Sequence, residues 1–501
     1  MDFQRTTLEG YQLTVDTVFS QEETTESIVP DSFPDISRII SASGTAYLST
    51  KQLNRGMLKM MGAAHICVMY MPENDANPRA LWLKLPFQCT GEDPKVKESD
   101  CFHVSVLSVS ADARILNPRK LFVKAEIKFG VKVYTQFKNE VIVNITAAET
   151  ESIQKKLCEV QQNTIAAVVE KPFLFSDTLR CSQSKPQAEE LLHYRIDPAA
   201  AEARYIGNKL VCKGEMNLIT IYRTGNELNT ARFELPFSQI LDLESAVSEG
   251  SPEVTVYLKN VECTLRDGEI DISVEAALQA RLWTSGTVSL LNDIYSTAVP
   301  LIVDRSTSEF CISRELEAHR ETAKKFCESG IPAKQVLDCH VSLAPHILQR
   351  DGAALECRSE AAVSILYLSE DDALCSAEYT IPIRTALKEA EDIQCKCACR
   401  PVGEAVAVPV TGGFEVRAEI EFVWEVTRIK SSQFVSKAEQ SNDVDEMTQG
   451  PSVIVRMVGA GETLWDIAKS CRSTISDICM ANQLTTERAE PGAILLIPTK
   501  R

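Results

Sequence analysis

Three copies of one sequence pattern constrain the fold of this chain more than any other feature. A strand-like run that ends in tyrosine occurs at Ala64–Tyr70, Met216–Tyr222 and Ala361–Tyr367. The tyrosines are 152 and 145 residues apart, and prolines that open the same segments (Pro34, Pro186 and Pro332) are 152 and 146 residues apart. Because two independent markers give the same period to within one residue, chance is a poor explanation. We therefore predict three tandem copies of one unit.

Two further markers repeat within each copy. A proline between apolar residues follows each tyrosine, in Leu85-Pro86-Phe87, Leu235-Pro236-Phe237 and Ile381-Pro382-Ile383. Each copy closes on a run of alternating apolar and polar residues, at Val123–Val133, Ile270–Leu282 and Phe414–Val426. A period of two places one set of side chains on a core face and the other in water. The units are therefore predicted to be β-rich, with antiparallel sheets that are wet on one side.

Two segments between the units show a different period. Apolar residues recur at roughly helical spacing in Glu151–Glu170, and Arg314–Ser329 has a similar character. This spacing predicts two helices that act as connectors or packing elements.

The stretch Ser431–Pro451 is polar, carries four acidic residues against one lysine, and has almost no apolar periodicity. Such a composition predicts a flexible tether, with a mobile surface loop as the alternative. The predicted organisation is therefore three β-rich units at 1–150, 151–300 and 301–430, a flexible linker at 431–451, and a small module at 452–499. The predicted fold class is mainly β with some α.

The terminal module has the order strand, helix, helix, strand. Val453–Val458 is the first predicted strand, and Ala493–Ile497 is the last. Thr463 is a predicted N-cap, with Asp466 three residues later in the position of a capping-box acid. The second predicted helix is Thr474–Asn482, and Pro491-Gly492 forms a turn before the closing strand.

The repeats resemble the SPOCS domain of endospore-forming bacteria. The resemblance rests on Pro34-Asp35-Ile36, the strand from Gly62 to Tyr70 and Leu85-Pro86-Phe87, with matching blocks in the second copy. The third copy departs from the pattern, because Ser359 or Glu360 stands where the first two have glycine. This family has no established chemistry, so the resemblance supplies context rather than a mechanism.

The terminal module resembles a LysM module over nearly its whole length. The matching blocks are Gly461–Ala468, Asn482, Pro491-Gly492 and Leu495–Pro498, while Ala460 stands where many members have proline. LysM modules typically bind glycans that contain N-acetylglucosamine, such as peptidoglycan or chitin. The resemblance places that groove at Gly461, Glu462, Thr463, Leu464, Pro491, Gly492, Ala493 and Ile494. The alternative is that Leu464, Trp465 and Ile467 are core residues, as we expect for Ile467 and Trp465, and that the two glycines only form turns.

Charge and hydropathy narrow the classes of partner. The net charge is −18, and the basic residues Arg119, Lys120, Lys124, Lys128 and Lys132 are spread along a strand-like run that a solvated face explains. This favours solubility, or attraction to a basic partner, over nucleic-acid binding. No apolar run reaches the roughly 20 residues of a membrane span. The first residues do not resemble a signal peptide, so we expect a cytoplasmic protein whose 17 cysteines are reduced thiols.

Catalytic motifs are absent from the sequence. The six histidines are scattered, and there is no P-loop, nucleophile elbow or HExxH. The cluster Cys395, Cys397 and Cys399 would place neighbouring sulfurs about 6.5–7 Å apart on an extended strand, farther than a zinc site allows. A tight turn could shorten those distances, but three partly buried thiols explain the cluster better. We therefore expect no enzyme activity, no metal and no cofactor.

This combination of domains has three candidate functions. SPOCS-like units followed by LysM resemble sporulation proteins that bind the coat-basement ATPase, stage IV sporulation protein A, through the LysM module. This resemblance implies a scaffold or adaptor in spore-envelope assembly, located in the mother cell at the forespore surface. The alternative is a protein that binds peptidoglycan or another N-acetylglucosamine glycan. A hydrolase targeted by LysM is disfavoured, because three similar units leave no room for a catalytic domain.

Overall fold

The computed structural model describes residues 2–75, 77–146, 152–181, 186–198, 202–244, 247, 249–388, 393–441 and 451–499. Within these residues the fold is mainly β, as predicted, with 22 strands and two short helices in the order given below.

Strands group into three units followed by a terminal module. The first unit contains β1 (Asp2–Ile28), β2 (Ile36–Asn54), β3 (Met57–Pro72), β4 (Arg79–Glu92), β5 (Cys101–Asn117) and β6 (Lys120–Thr146). The second contains β7 (Ile153–Leu179), β8 (Glu190–Pro198), β9 (Glu202–Ile206), β10 (Lys209–Thr224), β11 (Glu227–Asp242), β12 (Ser251–Arg266) and β13 (Glu269–Ser296). The third contains β14 (Leu301–Glu328), β15 (Ala333–Leu343), β16 (Ile347–Asp351), β17 (Ala354–Ser369), β18 (Leu374–Leu387), β19 (Gln394–Val410) and β20 (Gly413–Gln440). The terminal module contains β21 (Val453–Met457), α1 (Leu464–Ser470), α2 (Ile475–Asn482) and β22 (Ile494–Pro498).

One strand-pairing scheme occurs in all three units. The first long strand pairs antiparallel with the last along almost its whole length, as β1 with β6, β7 with β13 and β14 with β20. The last strand also pairs with the one before it. Between them lies a smaller antiparallel sheet centred on β3, β10 or β17. We call the three units together the body.

The sequence markers of the repeat contact each other in the structure. In the first two units the tyrosine hydroxyl donates a hydrogen bond to the carbonyl of the opening proline, from Tyr70 to Pro34 at 3.2 Å and from Tyr222 to Pro186 at 3.3 Å. In the third unit Tyr367 instead lies 3.3 Å from the Ser329 hydroxyl. In the first two units the repeated residues therefore connect the entry of the unit to its middle sheet.

Gly62, in the strand that leads to Tyr70, is required for steric reasons. A Cβ on Gly62 would lie 1.9 Å from the Tyr47 carbonyl oxygen, so no other residue fits there without a backbone shift. Its cross-strand partner is Phe87, and the third unit has Ser359 opposite Ile383 in the matching place. The Ser359 hydroxyl donates to the Ala344 carbonyl at 2.7 Å, so this unit uses the position differently.

Shared apolar clusters join the units. The predicted core face of the first closing strand is fully buried: Val123, Ala125, Ile127, Phe129, Val131 and Val133 are each 0% exposed. At the far ends of the last strands, matching residues of all three units form one cluster: Ile142, Ile145, Leu291, Ile294, Val435 and Ala438. A second shared cluster joins the three middle sheets. The first and second units also share a six-stranded sheet through the pair Tyr11–Ile165 of β1 and β7.

The two predicted connector helices are wrong. Residues 153–170 belong to β7 and Arg314–Glu328 belongs to β14, the first long strands of the second and third units. Each forms a continuous ladder with the last strand of its unit, and this long-range pairing overrides a helical spacing that arose by coincidence.

The predicted tether is wrong over its first ten residues. Ser431–Gln440 continues β20 and pairs with β14 as far as Leu301. Phe434, Val435 and Ala438 are buried, and these three residues give the polar stretch enough apolar surface to join the sheet. Residues 442–450 of the predicted tether lie outside the described residues.

Candidate functional site: the terminal module and its contact with the body

The terminal module is a two-stranded sheet with two helices packed on one face. β21 and β22 pair antiparallel with Ile454 opposite Ile497, as the sequence predicts. Ile467, Ala468, Ile478 and Ile497 are fully buried between the helices and the sheet. The module therefore has an apolar core of its own.

Helix caps fix the ends of α1 and α2. The Thr463 hydroxyl accepts a hydrogen bond from the Asp466 amide at 3.3 Å, and the Asp466 carboxylate accepts one from the Thr463 amide at 3.0 Å. This is the predicted capping box, with aspartate doing what glutamate usually does. Thr474 caps α2 by accepting from the Asp477 amide at 3.0 Å.

Backbone bonds at Val458 bring the two predicted groove loops together. The Val458 amide donates to the Ala493 carbonyl, and the Gly492 amide donates to the Val458 carbonyl, both at 2.9 Å. Gly461 and Gly492 have φ of 76° and 87°, which favours glycine, so their role as turn formers is sufficient to explain them.

The eight predicted groove residues are not equivalent in the structure. Gly461, Thr463, Pro491, Gly492 and Ile494 are exposed, and Ala493 is half-buried. Glu462 is half-buried because its carboxylate accepts from the Gly459 amide at 3.0 Å and from Arg456 at 2.5 Å. Leu464 is 2% exposed and belongs to the core, as do Trp465 and Ile467. The loops that could contact a ligand are brought together, whereas the Leu464 side chain points inward.

Asn482 connects the second helix of the module to its last strand. Its amide nitrogen donates to the carbonyl oxygens of Leu496 at 2.7 Å and Ile478 at 2.8 Å, and its amide oxygen accepts from the Leu496 backbone at 2.8 Å. This single side chain ties the end of α2 to β22, which gives a structural reason for the asparagine.

The outer face of the small sheet is apolar and exposed. We define this outer sheet face by the side chains of Val453, Val455, Met457, Ile494 and Leu496, which are 46–67% exposed. Val455 lies opposite Leu496, and Met457 lies opposite Ile494, so the side chains form one contiguous surface. Contiguous apolar surface of this kind often marks an interaction site.

A buried carboxylate of the body holds the opposite side of the module. Asp293, near the end of β13, accepts hydrogen bonds from the Trp465 indole at 2.8 Å, from Lys469 at 2.7 and 2.8 Å, and from Arg305 at 2.6 Å. Burial alone would raise the pKa of Asp293, but these three donors hold it below its usual range.

An aromatic contact completes this interface. The Tyr295 ring meets the Trp465 ring edge-on with centroids 4.9 Å apart, and its hydroxyl donates to the Ser473 carbonyl at 2.9 Å. Burial raises the pKa of Tyr295 to about 12. Lys156 lies over the Trp465 ring at 5.9 Å. We call Lys156, Asp293, Tyr295 and Arg305 the module seat.

Sequence reasoning did not find the module seat, although the repeat carries a signal for it. Each last strand has a bulge that leaves one residue out of the ladder, at Val143, Asn292 and Ser436. The next residue is asparagine, aspartate or lysine in the three units, and the residue two positions later is Thr146, Tyr295 or Glu439. Comparing the repeats at this bulge would have shown that the second unit differs.

The cysteine cluster lies on β19, in the core of the third unit. Cys397 is 6% exposed, and Cys395 and Cys399 are half-buried beside it, in line with the interpretation as partly buried thiols. Cys399 Sγ lies 3.9 Å from His346 Nδ1. In the described ranges no group of three or more His, Cys, Asp or Glu side chains could hold a metal ion.

Three residues of the basic run form ion pairs with acidic residues in or beside the first strands. Lys124 pairs with Glu22 at 2.6 Å, Lys120 pairs with Glu26, and Arg119 pairs with Asp35 at 2.9 Å. These contacts account for three of the five residues of the basic run. Among the helices that the structure describes, none is long and apolar enough to cross a membrane.

Comparison with known families gives two matches. The family described as SipL, SPOCS domain, matches residues 187–266, within the second unit. The LysM domain family matches residues 457–498, which covers most of the terminal module. No curated protein and no solved structure matches the chain. The chain thus carries a SPOCS domain and a LysM domain, the combination of a SPOCS/LysM sporulation protein, and both are non-catalytic binding domains.

Proposed function

We propose that this protein is a non-enzymatic scaffold or adaptor in spore-envelope assembly, and that its LysM module recruits a partner protein. The observation that carries the proposal is the presence of both a SPOCS domain and a LysM domain in one chain. The shared pairing scheme supports the extension of the SPOCS assignment to the first and third units. The partner that the sequence resemblance implies is the coat-basement protein, stage IV sporulation protein A or a relative of it.

The outer sheet face is the surface that we assign to this partner. Its side chains are apolar and 46–67% exposed, and the module seat contacts α1 of the module instead. A protein partner can bury such a face, whereas a sugar chain needs polar groups to bond its acetamido and hydroxyl groups.

Capture of purified basement protein by charge variants tests this assignment. Met457→Glu and Val455→Glu place a carboxylate on the outer sheet face and should reduce capture at least about tenfold, since an unpaired charge in an interface is costly. Met480→Glu is the matched control, because Met480 is 70% exposed on α2, away from that face. Equal capture by all three variants and the unaltered chain would reject the assignment.

A glycan-binding function is the second candidate. It is favoured by the exposure of Gly461, Thr463, Pro491 and Gly492 at the paired loops. Sedimentation of the full chain with purified peptidoglycan, with release by N-acetylglucosamine oligomers, would favour this function. Sedimentation no greater than that of an unrelated acidic protein would reject it.

The proposed location is the mother-cell cytoplasm at the forespore surface. A fluorescent fusion followed through sporulation should form a shell around the forespore. A diffuse signal during vegetative growth, without such a shell, would contradict the scaffold role.

A further inference from the structure

The side of the module that faces the body has the chemistry of a carboxylate-binding site. Trp465 and Lys469 lie one helical turn apart on α1, and both donate to the same carboxylate, that of Asp293. Tyr295, two residues later on β13, adds an edge-on ring and a hydroxyl that bonds the Ser473 carbonyl. The face therefore contacts an acidic residue and an aromatic residue spaced two apart on an extended strand.

Only the second unit offers this pair of residues. The equivalent positions carry Asn144 and Thr146 in the first unit, and Lys437 and Glu439 in the third. Asparagine lacks the charge that Lys469 pairs with, and lysine would repel it. The contact is thus specific for one of three structurally equivalent strand ends.

The contact is small compared with those that join the three units. It consists of a buried carboxylate, one aromatic pair, one hydroxyl and the Lys156 contact with Trp465, whereas the units share apolar clusters to which all three contribute. Hydrogen bonds and ion pairs to one carboxylate can be replaced by water when the module moves away. The module core, apart from Tyr295, consists of the module's own residues.

We infer that the Trp465–Lys469 face is a recognition site for an acid-x-aromatic strand segment, and that the chain's own Asp293–Tyr295 fills it as a reversible latch. While the latch is closed, this face is not accessible to a segment of the same chemistry on another protein. Opening the latch exposes a second binding face, separate from the outer sheet face. This inference does not depend on the proposed sporulation role.

Fluorine NMR of the full chain labelled with 5-fluorotryptophan tests the latch. The chain has four tryptophans, and W465F assigns the resonance of Trp465. Asp293→Ala should shift that resonance and speed amide exchange in residues 464–473 by about tenfold or more. Lys437→Ala, at the equivalent position of the third unit, is the control and should change neither. An unaltered resonance and unaltered exchange in Asp293→Ala would overturn the latch.

A synthetic peptide with the sequence of residues 290–296 tests the recognition site. Asp293→Ala should bind the peptide at concentrations about tenfold or more below those that the unaltered chain requires, because the unaltered face is occupied in cis. Adding Lys469→Met to Asp293→Ala should abolish that response. If Asp293→Ala disturbs folding, Lys469→Met alone removes the same ion pair from the module side. It should speed amide exchange in residues 464–473 as Asp293→Ala is expected to do. If Asp293→Ala opens the latch but does not bind the peptide, the proposed recognition site is overturned.

Discussion

The body and the terminal module are held in different ways. Within the body, ladders of about 26 residue pairs and apolar clusters shared by all three units join strands that lie far apart in sequence. The module meets the body through Trp465, Lys469 and Ser473 alone among the contacts described above. This difference indicates that the body is a permanently assembled unit, whereas the terminal module is attached to it by a few polar and aromatic contacts.

The largest expected effect is a loss of body stability when a buried bridge between two units is removed. Arg314 is 8% exposed and bridges the second and third units, because it pairs with Glu253 and with Glu425 at 2.6 Å and stacks on Trp283 at 3.9 Å. Arg314→Ala removes the cation paired with Glu425 and leaves Glu253 with Arg281 alone, and it should lower the free energy of unfolding by about 3–5 kcal/mol. Urea unfolding followed by circular dichroism measures this.

Arg417→Ala is the control for Arg314, since Arg417 is 65% exposed and its ion pair in the described part of the chain is with the surface residue Glu419. Its expected cost is about 0–1 kcal/mol. Equal losses in the two variants would show that the bridge between the units is not structural.

The module should unfold independently of the body. Ile467 is 0% exposed in the module core. Ile467→Ala should destabilise the module by about 2–5 kcal/mol and leave the unfolding of the body unchanged. Hydrogen exchange resolved by segment measures both, with the exposed Met480→Ala as control. A matching loss of protection in β6 and β20 would show that body and module form one cooperative unit.

Acid should affect the body through buried histidine. His193 is 9% exposed and packs against Trp82, and burial, with smaller contributions from its charged neighbours, lowers its pKa to about 4. The unfolded chain binds a proton near pH 6.5 that the folded body does not, so stability falls as the pH drops below 6.5 and continues to fall to about 4. The expected loss at pH 5.5 is about 1.4 kcal/mol for this residue.

Urea midpoints at pH 7.5 and 5.5 measure the histidine effect. His193→Gln should reduce the difference between them, whereas His319→Gln, at a site 38% exposed, should not. The module contains no histidine, so its own exchange protection should change less over this range. A pH dependence that is unchanged in His193→Gln would contradict the assignment.

The smallest expected effect concerns the cap of α1. Thr463→Ala removes the hydroxyl that accepts from the Asp466 amide and should cost the module about 1 kcal/mol. Thr463→Ser keeps the hydroxyl and should be close to neutral. Amide hydrogen exchange in the first turn of α1 distinguishes the two variants. Equal exchange rates in both would mean that the capping box adds no stability.

The features that could be predicted from the sequence are local and contiguous. The closing strands alternate with a period of two, and the module gives its caps, turns and strands within about 45 residues, so both were predicted at the right places. The repeated tyrosines and prolines were found as markers, and their hydrogen bonds explain why they recur.

The missed features depend on residues far apart in the chain. The spacing of Val160, Ile165 and Val168 suits one face of a helix, yet all three are buried in β7 because β13 pairs along it. The contact between the module and its seat joins residues 172 positions apart, Asp293 and Trp465, so no local stretch of sequence contains both. The groove prediction stays a prediction, with Leu464 in the core rather than at the surface.

The anchoring of Ser441 limits how far the module can travel. Its amide donates to the Pro300 carbonyl at 2.9 Å, so Ser441 is fixed to the body, and on the module side the Pro451 carbonyl accepts from the Thr499 hydroxyl. The ten residues from Ser441 to Pro451 can span at most about 35 Å. A module freed from its seat would therefore search a small volume, where its local concentration is on the order of millimolar. A dissolved competitor must match that concentration to keep the seat empty.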